Sequence, residues 1–191
     1  MDSTEFEKLK IRLNEYLDNS LKATRMAHTK SVAEFAVKMA KQYGVDEQKA
    51  EIAALLHDMA RNIGIPAMNM YIRHLGLPER YLDNMNLAHG KIARELARSE
   101  FGIEDEEILD AISYHTTGRA GMSLLEKIIF LADAIEPLRD YNGVDRIRAK
   151  ADESLDAGCL ESLHGTIEFL KKKGVYIDED TLEAYEFLKK E

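Results

Sequence analysis

The chain has 191 residues, 45% of them apolar, with 35 Asp and Glu against 26 Lys and Arg, a formal net charge of −9, and a single cysteine, Cys159. That length and apolar content suit one sizeable core and a single domain over 1–191, the acidic balance excludes a broad phosphate-backbone groove for nucleic acid, and one cysteine excludes an intrachain disulfide framework. The charged N-terminus "MDSTEFEKLKIRLNEYL" lacks an apolar signal core, and no apolar run approaches the roughly 18 residues of a membrane helix, so a soluble cytoplasmic chain is expected.

In chain order, helix signals appear almost everywhere and strand signals almost nowhere. Phe6, Leu9, Leu13 and Leu17 recur at helical spacing, and Val32, Phe35, Met39 and Tyr43 repeat the pattern until Gly44 stops it. Asp46 suits the N-cap of "DEQKAEIAALLHDMAR", and Pro66 suits the first turn of "IPAMNMYIRHLG". Pro78 opens a short helix followed by a longer one. "EDEEILDAISYHTTG" and "SLLEKIIFLADAIEP" then read as two more helices, the second ended by Pro137. The tail holds "CLESLHGTIEFLKKKG", closed by Gly174, the short β-branched "VYI", and a terminal helix in "DTLEAYEFLKKE". The expected fold class is all-α, a compact helical bundle whose core spans about 20–150, with helices of 151–191 packed on it.

Metal-capable side chains fall on the apolar faces of these helices. His28 shares a stripe with Val32, Phe35 and Met39. His57 and Asp58 end the apolar run of "ALLHDMAR", with Arg61 one turn beyond; adjacent helix residues diverge by about 100°, so the two straddle a point instead of facing each other. Asp133 stands in "IIFLADAIE", where an ionised carboxylate costs several kcal/mol, in order of magnitude, unless a cation or donor meets it. Each residue taken singly reads as a hydrogen-bonded core group. Four such groups on three helices point to a shared cation. The mixed N/O donor set, free of sulfur, suits Fe, Mn, Mg or Co with positions open to water and substrate, and a metal-bound hydroxide would attack phosphorus without a covalent nucleophile. Ser31, Thr29 and Cys159 read as ordinary helix or core residues.

The order His28, His57-Asp58, Asp133 resembles the H…HD…D signature of the HD-domain metal-dependent phosphohydrolases. With "AHTKSVAEFAVKMAKQYG", "AALLHDMAR", "LAHGKIARE", "ISYHTTG" and "IIFLADAIEPLRDYNGVDRIR", nearly the whole chain is similar to the symmetrical bis(5′-nucleosyl)-tetraphosphatase family within them. The resemblance implies hydrolysis of diadenosine tetraphosphate to two ADP, iron as the metal and a homodimer. It further implies that "YIDEDT" contributes to a nucleoside pocket through Tyr176, Ile177 and Thr181, with Tyr176 stacking on a base.

His89 in "LAHGK" and His115 in "ISYHTTG" sit at helix ends and can reach the same mouth. One ion with these two as phosphate ligands or proton donors is the favoured arrangement; in HD enzymes with two metals, comparable histidines bind the second ion. Arg61 and Arg139 are the candidate phosphate clamps, because the guanidinium fork suits bidentate phosphate contact. Asn62, Gly64 and Thr116 offer donors and close backbone approach beside them. His74 and His164 read as structural or surface residues. Two other functions stay open: a general HD nucleotidase acting on mononucleotides, and a non-catalytic nucleotide-binding signalling module, against which the retention of all four ligand positions argues.

Overall fold

A computed structural model describes residues 2–191, and among these the chain forms ten α-helices, one short 3-10 turn and no strand. The helices are α1 Ser3–Ser20, α2 Ala23–Tyr43, α3 Glu47–Leu56, α4 Ile65–His74, α5 Met85–Phe101, α6 Glu106–Tyr114, α7 Leu124–Ile135, α8 Val144–Glu153, α9 Leu155–Lys173 and α10 Glu179–Leu188.

Local chemistry sets most of the boundaries. Asp2 and Glu5 form a capping box on α1, whose buried stripe is Phe6, Leu9, Leu13 and Leu17, as the periodicity predicts. Asp46 caps α3 by accepting from the amides of Gln48 and Lys49. Gly44 ends α2 at φ 70° and Gly174 ends α9 at φ 65°, both in the left-handed region that a C-cap favours. Pro66 lies in the first turn of α4, and Pro137 follows the cap of α7.

The central element is α7, capped by a Ser123/Glu126 box and buried along nearly its whole length; it packs against α2, α3, α6, α8 and α9. Among the described residues no helix is long and apolar enough to cross a membrane. Cys159 is fully buried with its thiol pushed up by desolvation, as a small core residue would be.

One sequence expectation requires correction, and one helix was not anticipated. The helix carrying His57 and Asp58 stops at Leu56, so His57 is its C-cap and 57–62 is a tight turn in which Met59 N–H donates to Leu56 and Arg61 N–H to Asp58. The segment "VYI" is part of the loop between α9 and α10. Helix α8 was not anticipated: only Val144 and Ile147 of its ten residues are buried, too few for a periodic signal.

Candidate metal centre

Six side chains from five helices converge. His28 comes from the second turn of α2, His57 and Asp58 from the end of α3, His89 from α5, His115 from the end of α6, and Asp133 from α7. All four histidines are buried, as is Asp58, while Asp133 keeps 23% of its side chain exposed at the mouth. Nε2 of His28 is 3.0 Å from Oδ1 of Asp133 and 3.9 Å from Oδ2 of Asp58. Nε2 of His57 is 3.4 Å from Oδ2 of Asp58 and 3.8 Å from Oδ1 of Asp133. Nε2 of His89 is 3.2 Å from Oδ1 of Asp58 and 2.9 Å from Nε2 of His115.

One rule orients every ring. Each Nδ1 faces an acceptor that has no proton to give: the Glu136 carboxylate for His28 at 3.0 Å, and the carbonyls of Ala54 for His57 at 2.6 Å, Met85 for His89 at 2.8 Å and Ile112 for His115 at 2.8 Å. Each Nδ1 therefore carries the proton and donates, which leaves four Nε2 lone pairs turned into the cluster. Carbonyls at the C-terminus of a helix lack intrahelical partners, so His57 and His115 satisfy their own helix ends with one nitrogen while presenting the other. Nε2 of His57 is buried without a hydrogen-bond partner, an expensive state unless a cation meets it.

The electrostatics agree. Burial alone would raise the Asp58 and Asp133 carboxyls, yet both are held well below the usual carboxylate range by the surrounding imidazoles, and Asp133 by Arg139 as well. For His57, burial works against the charged form but the Asp58 and Asp133 charges outweigh it and raise the imidazole. Burial beside His89 and His57 pushes His115 down to about 3. The cluster demands positive charge, and two carboxylates with inward imidazole nitrogens fit a divalent metal. Two donor triads lie within ligand reach of a common point: His28, His57 and Asp133, and His57, Asp58 and His115.

Glu136 and Ser31 support His28. Glu136, almost fully buried, accepts from His28 Nδ1 and from the Ser31 hydroxyl at 2.6 Å, so Ser31 orients a site residue instead of serving as an ordinary helix position. Arg25 donates to Asp58 Oδ2 at 2.7 Å. Sequence reasoning missed Arg25 and Glu136, although each stands three residues from a ligand candidate, a spacing that keeps them on the ligand's helix face.

Of the expected phosphate residues, Arg139 donates to Asp133 and lies 3.3 Å from His28 Nε2. Arg61 reaches Asn86 at 2.8 Å with Nη1 3.3 Å from His89 Nδ1, and the Thr116 hydroxyl is 3.1 Å from His115 Nε2. Asn62 is turned away, donating to the Ser20 carbonyl. Gly64 caps α4 at an ordinary φ of −70°, where a Cβ would meet only Pro66 at 3.7 Å. Tyr176 and Ile177 lie in the loop before α10 and Thr181 in its first turn, on the side where Asp178 and Asp180 meet Arg80 and Lys91. None of the three lines the cavity beside Asp133 and His115, and Thr181 is buried. His164 stacks on Tyr185 away from the cluster.

The model of the HD domain matches residues 25–138, which hold all six converging side chains. The chain belongs to the HD-domain family. Two HD-domain relatives are similar over most of their length. The Halalkalibacterium halodurans protein named "Bis(5′-nucleosyl)-tetraphosphatase, symmetrical" is 46% identical over 84% of this chain and 87% of its own, and the Bacillus subtilis protein of the same name is 42% identical over 86% and 89%. A crystal structure of a predicted HD superfamily hydrolase involved in NAD metabolism from Clostridium acetobutylicum superposes with a TM-score of 0.90 at 40% identity, covering 95% of this chain and 97% of that one.

Proposed function

We propose that this HD-domain protein hydrolyses dinucleoside tetraphosphates symmetrically, diadenosine tetraphosphate and water giving two ADP. The observation that carries the reading is the converging set of His28, His57, Asp58 and Asp133, with Nε2 of His57 buried and unpartnered, in a chain whose full-length relatives bear that activity's name. These four residues would hold a divalent ion, for which we propose iron. A divalent ion there, when bound, lowers the pKa of a water and polarises a phosphoryl oxygen.

The chain's own groups do the rest. Glu136 and the carbonyls of Ala54, Met85 and Ile112 fix the four ring tautomers and so remove reorganisation from the reaction. Arg139 and Arg61 stand at the mouth as forked donors for phosphate oxygens, and Arg25 partners Asp58. The Thr116 hydroxyl stands beside His89 and His115 as a donor for a phosphate oxygen. With two aspartates at the centre, these arginines also offset the repulsion that a polyanion would meet.

One observation favours a second arrangement of the histidines. His89 and His115 turn lone pairs, not N–H groups, inward, and together with Asp58 they suit a second ion better than a phosphate oxygen. Elemental analysis separates the arrangements, one ion per chain against two. We place the protein in the cytoplasm, consistent with its one buried thiol, and as a homodimer, which sedimentation would test.

The functional test is chromatography of the products from diadenosine tetraphosphate. ADP as sole nucleotide product supports the proposal. ATP with AMP would refute symmetrical cleavage, and absence of turnover by metal-loaded protein would refute the enzyme.

A further inference from the structure

Helix α7 ends without enough amides for its own carbonyls. Pro137 has no N–H, the Leu138 amide donates to Glu136 Oε2 at 2.6 Å and the Arg139 amide to the Glu136 carbonyl at 2.9 Å, so the carbonyls of Asp133, Ala134 and Ile135 find no backbone donor. Side chains of the following segment meet all three. Arg139 Nε donates to Asp133 at 2.7 Å, the Tyr141 hydroxyl to Ala134 at 2.9 Å and Arg148 Nε to Ile135 at 3.2 Å. Nη2 of Arg148 also donates to the carbonyls of Glu136 at 3.0 Å and Arg139 at 2.9 Å. One guanidinium thus grips three carbonyls, two before the bend at 137–138 and one after it. Gly143, at φ 101°, supplies the left-handed turn from which α8 starts and brings Arg148 back onto the end of α7.

That bend carries two groups of the centre. The Glu136 carboxylate accepts from His28 Nδ1 at 3.0 Å, and Arg139 Nη2 donates to Asp133 and lies 3.3 Å from His28 Nε2. Every hydrogen bond of Arg148 among the described residues goes to the backbone of residues 135–139 or to Asp145 one turn before it, at 3.1 Å. We propose that Arg148, outside the matched HD segment, is a positioning residue: it clamps the 136–139 bend and so keeps Glu136 on His28 and Arg139 at the mouth. The planar fork suits this task, because its N–H groups leave in fixed directions and serve several acceptors at once, which the single nitrogen of a lysine does not. The Arg139 half of the proposal rests on the hydrolase reading. The Glu136 half stands on metal binding alone.

Arg148→Met keeps most of the alkyl stem and removes the donors, and two paired measurements test it. The first is manganese(II) affinity by chelator competition, in wild type and in Glu136→Gln. Arg148→Met is expected to weaken manganese about tenfold in the wild-type chain, the low end for residues that orient ligands. In the Glu136→Gln chain the further loss is expected to stay under about twofold, because residues acting through one contact do not add. The second is diadenosine tetraphosphate turnover at saturating manganese, where kcat is expected to fall about tenfold in the wild-type chain and under about twofold further in Arg139→Met. Arg148→Lys, a milder change that guards against a poorly folded methionine variant, is expected to lose at least about threefold in both readouts. Wild-type manganese affinity and kcat in either Arg148 variant would overturn the proposal. Losses that multiply in full in the Glu136→Gln and Arg139→Met chains would also overturn it, since they would make Arg148 a structural residue only. Wild-type protein that shows the manganese coupling but does not cleave the tetraphosphate would overturn the functional reading and leave the clamp on Glu136 standing.

Discussion

Nε2 of His89 lies 2.9 Å from Nε2 of His115 while Nδ1 of each ring donates to a backbone carbonyl, so two lone pairs face each other and only a shared proton or a metal ion reconciles them. Hydrogen-bonded core histidines do not adopt this arrangement, since both nitrogens of such a ring find complementary partners. His89→Ala and His115→Ala are therefore expected to keep at least the ion held by His28, His57 and Asp133, yet to lose about 10–100-fold in kcat, the usual scale for groups around a metal. Elemental analysis beside steady-state kinetics reads both, and wild-type kcat in both variants would remove the pair from the site.

The approach of these two rings depends on Gly90. A Cβ there would lie 2.9 Å from the Ser113 carbonyl oxygen, 3.1 Å from that of Ile112 and 3.2 Å from His115 Cε1, so α5 and α6 pack this closely only without a side chain. Gly90→Ala is expected to destabilise by about 1–3 kcal/mol through overpacking, against a helix-propensity gain of about 1 kcal/mol, and to lower kcat as the histidines separate. Urea unfolding decides the sign. A more stable variant would show that the helices shift freely and the glycine carries no constraint.

Glu136 provides a cleaner test of orientation, because it touches His28 on the side away from the centre. Glu136→Gln keeps the shape but removes the charge that secures the Nδ1 proton, and metal affinity is expected to fall about 10–100-fold with helicity unchanged. Competition with a chelator followed by circular dichroism would measure this; unchanged affinity would make Glu136 a packing residue.

Lys91 carries the pH prediction. Burial, only partly offset by Asp180, depresses its ammonium to about 8 from an ordinary 10.5, and its nitrogen lies over the Tyr114 ring. Above pH 8 the unfolded chain binds the proton that folded Lys91 has released, so this group's contribution to stability rises with pH between about 8 and 10.5. Burial raises Tyr81 to about 12, which opposes that trend above pH 10, so the window for measurement is pH 8 to 10. Denaturant midpoints of wild type minus Lys91→Met should climb across it. A flat difference would place the Lys91 ammonium at its ordinary value.

Much of this was legible in the sequence because helices repeat at a short period. His28, His57, Asp58 and Asp133 could be assigned to inward faces from their apolar neighbours, and all four converge. What escaped has physical reasons. Glu136 serves a histidine 108 residues earlier, and Arg25 an aspartate 33 residues later, so neither role exists until the helices pack. Helix α8 was hidden because it buries only two side chains.

The most direct test of the metal centre is the paired metal content and diadenosine tetraphosphate turnover of Asp58→Ala. The side chain of Asp58 lies within 3.4 Å of both His57 and His89, so its loss removes the carboxylate that stands between these two imidazoles. The structure predicts a helical protein that retains little metal and produces no ADP. Full activity in metal-free Asp58→Ala would contradict it.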